Sequence, residues 1–317
     1  MTNVNQYGWK ALVGSAVGYA MDGFDLLILG FMLSAISADL NLTPAQSGSL
    51  VTWTLIGAVV GGIVFGALSD RYGRVRVLTW TIVLFAVFTG LCAIAQGYWD
   101  LLIYRTIAGI GLGGEFGIGM ALAIEAWPAR HRAKAASYVA LGWQVGVLAA
   151  ALLTPVLLPH IGWRGMFVVG IFPAFVAWYL RTRLHEPEIF SRKQTALSTQ
   201  KTSKLESFKL LIKDKATTKV SLGVVVLTSV QNFGYYGIMI WMPNFLSKQL
   251  GFSLTKSGLW TAVTVCGMMA GIWIFGRLAD RIGRKPSFLL FQFGAVISII
   301  TYSQLTDPTA MLVAGAF

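Results

Sequence analysis

Charged residues are scarce in this chain. They make up 12% of its 317 residues, whereas an ordinary soluble domain has about 25%. Hydrophobic residues make up 56%, and apolar stretches of roughly 20 residues, enough to cross a ~30 Å hydrocarbon layer, recur along the whole length. The shortage of charge therefore excludes a soluble domain, including one held at the membrane by a single anchor.

Cysteine and histidine are rarer still. The two cysteines, Cys92 and Cys266, lie in separate apolar stretches without metal-ligand spacing, so we expect no metal site. All three histidines lie between apolar stretches, and the phosphate-binding pattern G-x-x-x-x-G-K-S/T is absent from the sequence. We therefore expect neither an enzyme nor an ATP-driven pump, and no cofactor.

Acidic residues are outnumbered by basic ones, 13 to 25, which gives a formal net charge of +12. Such a charge could indicate nucleic-acid binding. If the N-terminus is cytoplasmic, however, 21 of the 25 Lys and Arg residues fall on the cytoplasmic side and only Arg164, Lys248 and Lys256 on the other. This asymmetry predicts a multi-pass protein of the cell inner membrane that contacts lipid and binds no nucleic acid.

Nine apolar segments are predicted to be membrane-spanning helices, because lipid offers the backbone no hydrogen-bonding partners. They are 11–37, 48–68, 77–95, 100–125, 134–158, 164–180, 220–246, 257–276 and 286–304. The organisation that follows is an N-terminal six-helix bundle (1–180), a cytoplasmic loop (181–219) and a partial second bundle (220–317). The loop is expected to be a solvated linker or a surface helix on anionic headgroups. We expect the chain to be truncated within a tenth helix, since 308–317 covers about half a crossing.

An internal repeat relates the two bundles. A shift of 210 positions without gaps aligns Ser47-Gly48 with Ser257-Gly258, Phe65-Gly66 with Phe275-Gly276, and Asp70-Arg71 with Asp280-Arg281. Repeats that follow an even number of crossings have the same orientation and enclose a site between them.

The repeated segment carries a family signature. Residues 66–76 resemble the cytoplasmic loop of the major facilitator superfamily, G-x-L-S/A-D-R-x-G-R-R/K, and residues 276–285 repeat it. The resemblance covers essentially the whole chain. It implies an all-α polytopic membrane protein with the major facilitator fold, whose first half is complete and whose second is not, with about nine and a half of twelve helices. Simple positive-inside anchoring would explain the arginines but neither the aspartates nor the repeat.

A second pattern, Glu125-Ala126-Trp127-Pro128 followed by Arg132, resembles the E-x-x-P-x-x-x-R of sugar-porter-like and organic-anion members. Glu125 is expected to pair with loop arginines, the alternative being a boundary carboxylate without a special role. The cytoplasmic gate implied by the resemblance comprises Gly66, Asp70, Arg71, Gly73, Arg74, Glu125, Arg132, Asp280, Arg281, Gly283 and Arg284.

Asp22, Asp25 and Arg105 lie inside predicted spans. Each would cost about 2.5–3.5 kcal/mol at a helix centre, so we expect them to face a cavity or one another. Asp22 and Asp25 are three residues apart and share a helical face. A proton moving on and off this pair, with Arg105 as counter-charge, would couple transport to the proton gradient, as in proton-coupled relatives. The alternative is a purely structural ion pair.

Two further sets of polar residues are candidates. Glu115 is a third carboxylate within a span, which could relay protons, contact substrate or only bond to a neighbouring helix. In the seventh span, polar and aromatic side chains replace the carboxylate of the first half and could line the substrate path, although Tyr and Trp also populate membrane interfaces. The candidate substrate-binding residues are Gln144, Gln231, Asn232, Tyr235 and Tyr236.

The glycines of Gly109-x-Gly111-x-x-Gly114 match a dinucleotide-binding fingerprint. They lie in an apolar helix rather than after a strand, so we predict close helix packing there instead, as for Gly142-x-x-x-Gly146 and Gly62-x-x-x-Gly66.

The function that these patterns favour is secondary active transport by alternating access: proton-coupled symport of a small organic solute by a monomer. The resemblance is greatest to proton symporters of sialic acid and related carboxylates, followed by aromatic-acid and metabolite symporters. The alternatives are a sugar or other metabolite porter of the same fold, or a non-transporting fragment or sensor.

Overall fold

The computed structural model is helical throughout the residues it describes, which are 6–128, 132–182, 212–249, 251, 253–305 and 307–315. These residues form α1 (Gln6–Asp39), α2 (Pro44–Tyr72), α3 (Arg74–Cys92), α4 (Tyr98–Glu125), α5 (Arg132–Thr182), α6 (Lys215–Gln249), α7 (Leu254–Ile282), α8 (Arg284–Ser303) and α9 (Pro308–Ala314). Within the described ranges, α1 to α8 each contain a stretch long and apolar enough to cross a membrane.

The nine predicted segments correspond in order to α1 to α8. Helix α5 contains two of the segments. Its two arms, 132–161 and 163–182, meet at Gly162, which has φ 63° and ψ 178°. Glycine adopts this backbone conformation far more readily than any other residue. Helix α6 begins five residues before the predicted start of the seventh span. Most of the predicted cytoplasmic loop, residues 183–211, lies outside the described residues.

Local sequence sets several helix ends. Thr43 and Gln46 form a reciprocal capping box before α2, and Pro44 is its first residue. At the repeated motif, single glycines separate α2 from α3 and α7 from α8. Gly73 has φ 102° and ψ 149°, and Gly283 has φ 93° and ψ 158°. The two copies of the motif therefore share one backbone conformation as well as one sequence.

The first bundle is packed around α1, whose residues from Met21 to Leu33 are all buried. Helices α4 and α5 cover most of its surface. Successive crossings place Gly73 and Glu125 at one end of the bundle, called here the Gly73 end. The C-terminus of α1 and the turn at Gly162 lie at the opposite end, called the Asp39 end.

Glycines allow α2 and α4 to approach closely. A Cβ on Gly109 would lie 2.1 Å from the Thr54 carbonyl oxygen, and one on Gly113 would lie 1.7 Å from that of Ala58. The glycines of the apparent dinucleotide fingerprint thus belong to helix α4, as predicted. The prediction for Gly66 is wrong, since a Cβ there would meet no atom within 4 Å.

Among the described residues, two helix pairs make most of the contact between the two bundles. Helix α1 contacts α6 and the first arm of α5 contacts α7. Glycines allow close backbone approaches at Gly30 against Ile240 and at Gly258 against Ala151. Both lie in the half of the molecule nearer the Asp39 end.

Candidate functional site

Arg105 and Asp25 form a bidentate ion pair between α4 and α1. The Nη1–Oδ1 and Nη2–Oδ2 distances are 3.0 and 2.8 Å, and both residues are 0% exposed. The guanidinium also lies over the Phe167 ring, with Cζ 5.7 Å from the centroid. Two parallel charge-assisted bonds fix the orientation of both side chains. The expectation that charges within the spans face one another is met by this pair.

Asp22 is also buried. It interacts electrostatically with Tyr19 in its own helix and with Tyr236 in α6. Residues three apart in a helix differ by about 60° in direction. The ion pair that Arg105 makes is with Asp25. The ion pair thus uses Asp25, and the prediction that Asp22 shares its proton stays a prediction.

Glu115 is buried in α4, ten residues beyond Arg105, which is about 15 Å along the helix. Its Oε2 accepts a hydrogen bond of 3.4 Å from Thr81 Oγ1 in α3. The structure thus separates Glu115 from the ion pair and directs it to a neighbouring helix, which is one of the alternatives that the sequence left open.

Five rings meet where the two bundles face each other. Tyr19 lies 4.7 Å from Phe116 and 5.0 Å from Trp143 between centroids, and Tyr235 lies 5.4 Å from Tyr236. The Trp143 indole donates a 2.6 Å hydrogen bond to the Tyr235 hydroxyl, from the first bundle to the second. We call these five residues the aromatic cluster. Tyr235 and Tyr236 were predicted as candidates, and the other three were not.

The remaining substrate candidates differ in position. Gln144 is buried next to the cluster, and its Nε2 lies 3.8 Å from Met268 Sδ in α7. Gln231 and Asn232 are exposed, and Asn232 donates to the Thr228 carbonyl oxygen of its own helix. Gln144 therefore lies at the contact between bundles, while Gln231 and Asn232 are one to two turns away on an exposed surface.

At the Gly73 end, Arg74 joins the ends of α2 and α4. Its Nε and Nη2 donate to the Glu125 carboxylate at 2.9 and 3.0 Å, and Nη2 lies 3.3 Å from Asp70. The expected pairing of Glu125 with a loop arginine thus occurs, and the arginine is Arg74. Arg71 lies over the Tyr72 ring, with Cζ 5.1 Å from its centroid, and Arg132 is exposed at the start of α5.

The second copy of the motif is described in part. Gly283 forms the turn, and Arg281 is exposed. The side chains of Asp280 and Arg284 lie outside the described part of the structure.

An unpredicted cluster lies at the Asp39 end. Asp39 Oδ2 accepts hydrogen bonds from Arg164 Nη1 and from Trp163 Nε1, and Arg164 Nη2 donates to the Ala95 carbonyl oxygen at 3.2 Å. The cluster ties the ends of α1 and α3 to the turn of α5. Arg164 is one of only three basic residues predicted on that side of the membrane. This rarity is the sequence signal that could have indicated the cluster.

Two helical bundles, a repeated glycine-aspartate-arginine motif and an ion pair buried within helices of membrane-spanning length are features of a membrane transporter. The chain belongs to the Major Facilitator Superfamily, whose sequence model matches residues 15–317. It is therefore a multi-pass membrane transporter of small molecules and not an enzyme.

Several known proteins are similar to it. A protein of Haemophilus influenzae, whose name assigns it to metabolite transport without specifying the metabolite, is 89% identical over 100% of this chain and 79% of that protein. The cis,cis-muconate transport protein of Acinetobacter baylyi is 31% identical over 100% and 78%. The sialic acid transporter NanX of Escherichia coli is 30% identical over 94% and 70%. The solved xylose transporter XylE of Escherichia coli, partially occluded and inward open, shares the fold with a TM-score of 0.73 and 20% identity, over 98% of this chain and 84% of that one.

Proposed function

We propose that the protein is a proton-coupled symporter that carries a small organic acid across the bacterial inner membrane, with its N-terminus in the cytoplasm. Transport proceeds by alternating access of the two bundles around a site between them. The observation that carries the proposal is the fully buried Asp25–Arg105 pair. A buried ion pair is a weak stabiliser, so its presence within a membrane is better explained by a role in function.

The pair supplies a physical link between proton and solute. While Asp25 is ionised, its charge cancels that of Arg105. When Asp25 binds a proton, the guanidinium keeps its charge in a medium of low dielectric constant, and the local potential becomes positive. An anionic solute in the neighbouring site is then stabilised. Because such coupling is reciprocal, a bound anion also favours protonation of Asp25.

The Gly73 end is proposed as the cytoplasmic gate. Arg74 there is shared between Glu125 and Asp70. Both acceptors belong to the first bundle, so this network orients the turn at Gly73 rather than bridging the two bundles. A correctly held turn can then dock against the opposite bundle when the gate closes.

An organic acid is favoured over a sugar by the relatives. Two of the relatives named above carry cis,cis-muconate and sialic acid, which are carboxylates. The xylose transporter is similar at the level of fold only. A sugar porter or a non-transporting sensor of the same fold is the alternative.

Uptake into proteoliposomes tests the coupling. The solute, cis,cis-muconate, would be offered with and without an inward proton gradient to wild-type protein and to Asp25→Asn, Asp22→Asn and Glu115→Gln. We expect Asp25→Asn to abolish gradient-driven accumulation while exchange of internal for external solute continues. Gradient-driven accumulation by Asp25→Asn at the wild-type level would refute the coupling role. Absence of both accumulation and exchange in the wild-type protein, for muconate and for sialic acid, would favour the sensor alternative.

A further inference from the structure

We infer that Tyr19, whose ring is held by Trp143 packed against it, determines specificity by stacking on a flat, conjugated part of the solute. The inference rests on the proposed function in one respect, that an organic acid occupies the space between the bundles. It concerns two residues of the first bundle that the sequence did not indicate.

The depth of the aromatic cluster excludes the usual explanation for Tyr and Trp in a membrane protein. Tyr19 is 13 residues from the start of α1 and 20 from its end, which is about 20 and 30 Å along the helix. Tyr235 is similarly far from both ends of α6. Interfacial belts lie at the headgroups. The cluster instead lies far from the ends of α1 and α6, and transporters bind solutes near the middle of their spanning helices.

The exposure of the rings differs within the cluster. Trp143 is 7% exposed, while Tyr19, Tyr235 and Tyr236 are half-buried. Trp143 therefore forms the base, and its hydrogen bond to the Tyr235 hydroxyl fixes the tyrosine from the second bundle. The tyrosines retain ring surface that a solute can reach as the bundles move apart.

The chemistry of these groups selects a planar partner. Aromatic faces make favourable offset-stacked or edge-to-face contacts with other π systems, beyond the area buried. A saturated ring of the same size buries similar area without these contacts. Rings contributed by α1, α5 and α6 can therefore distinguish a conjugated acid from its saturated counterpart, whereas a cluster that merely joins the two bundles would not.

Equilibrium binding to the full chain in lipid nanodiscs tests the inference. The probes are benzoate and cyclohexanecarboxylate, which have the same charge and similar size but differ in planarity. We expect wild-type protein to bind benzoate several-fold and up to about tenfold more tightly. Trp143→Leu and Tyr19→Leu should bring the ratio close to one, while Trp143→Phe and Tyr19→Phe, which keep the rings, should retain most of it.

Equal affinities in the wild-type protein, including no binding of either probe, would overturn the inference, as would an unchanged ratio in both leucine variants. Size-exclusion profiles of the variants would show whether each is folded. Because Tyr19 and Trp143 lie on different helices, either leucine variant can serve as the test if the other does not fold. The measurement needs no proton gradient. A normal ratio together with failed gradient-driven uptake would thus reject the coupling and leave the stacking role intact.

Discussion

Gly30 of α1 lies directly against the backbone of Ile240 in α6. A Cβ on Gly30 would be 2.9 Å from the Ile240 carbonyl oxygen, closer than side-chain carbons approach in real proteins. This contact joins the two bundles near the Asp39 end. In the alternating-access mechanism proposed above, this surface would form and separate during each cycle.

Gly30→Ala is therefore expected to force the bundles apart at this point. Overpacking of this kind costs about 1–3 kcal/mol, so the variant should have a lower melting temperature in detergent and slower uptake. Gly294→Ala is the matched control, because a Cβ on Gly294 in α8 meets no atom within 4 Å. Equal behaviour of the two variants would show that the Gly30 contact is not needed.

The Asp25–Arg105 pair should affect stability and coupling in different ways. Asp25→Leu leaves a buried guanidinium without its partner, which costs about 3–5 kcal/mol. The double variant Asp25→Leu/Arg105→Met removes both charges and should recover most of the thermal stability. Its gradient-driven uptake should remain absent. Recovery of uptake in the double variant would reduce the pair to a structural element.

Uptake should be sensitive to replacement of Arg74 even when the positive charge is kept. Lysine cannot reproduce the two parallel bonds to Glu125, and hydrogen bonds to charged groups contribute about 1.5–3 kcal/mol. Arg74→Lys should slow uptake, while Arg76→Lys, at an exposed position two residues away, should have little effect. Equal uptake by Arg74→Lys and Arg76→Lys would count against the proposed gate.

Asp214 gives the first turn of α6 a predictable pH dependence. The backbone N–H of Thr217 donates to its carboxylate at 2.8 Å, as does the Thr217 hydroxyl, and these bonds lower the pKa of Asp214. A carboxyl whose pKa is lower in the folded state stabilises the fold above its unfolded pKa of about 3.9. This stabilisation is lost as pH falls through the folded pKa.

Hydrogen exchange of the Thr217 and Thr218 amides checks this directly. Exchange, corrected for its intrinsic pH dependence, should become faster relative to the rest of α6 as pH falls below about 4. Asp214→Asn keeps an oxygen acceptor for the cap but does not titrate. Its protection should therefore be independent of pH, and identical profiles for the two proteins would contradict the assignment.

The sequence predicted those features that follow from local rules or from the membrane itself. The spans followed from apolar length. Gly73 and Gly283 have matching backbone conformations because the repeat preserves a residue that tolerates positive φ. The pairing of Arg105 with Asp25 was predictable because an isolated charge in lipid is costly.

Features that depend on how the bundles meet were not predictable. Trp143 and Tyr235 are 92 residues apart in different bundles, and neither helix pattern indicates that they touch. That Arg105 pairs with Asp25 depends on the rotation of α1 against α4. Gly66 has the spacing of a packing glycine, yet α4 does not reach it.

The turn at Gly162 has a practical consequence for labelling. A single residue with non-helical geometry joins the two arms of α5, so the connection between the two crossings has almost no non-helical backbone. Residues 159–162 are exposed, but they form no separate loop that an inserted epitope could lengthen. Reagents meant to report from that face are better directed to the connection at residues 40–43, between α1 and α2.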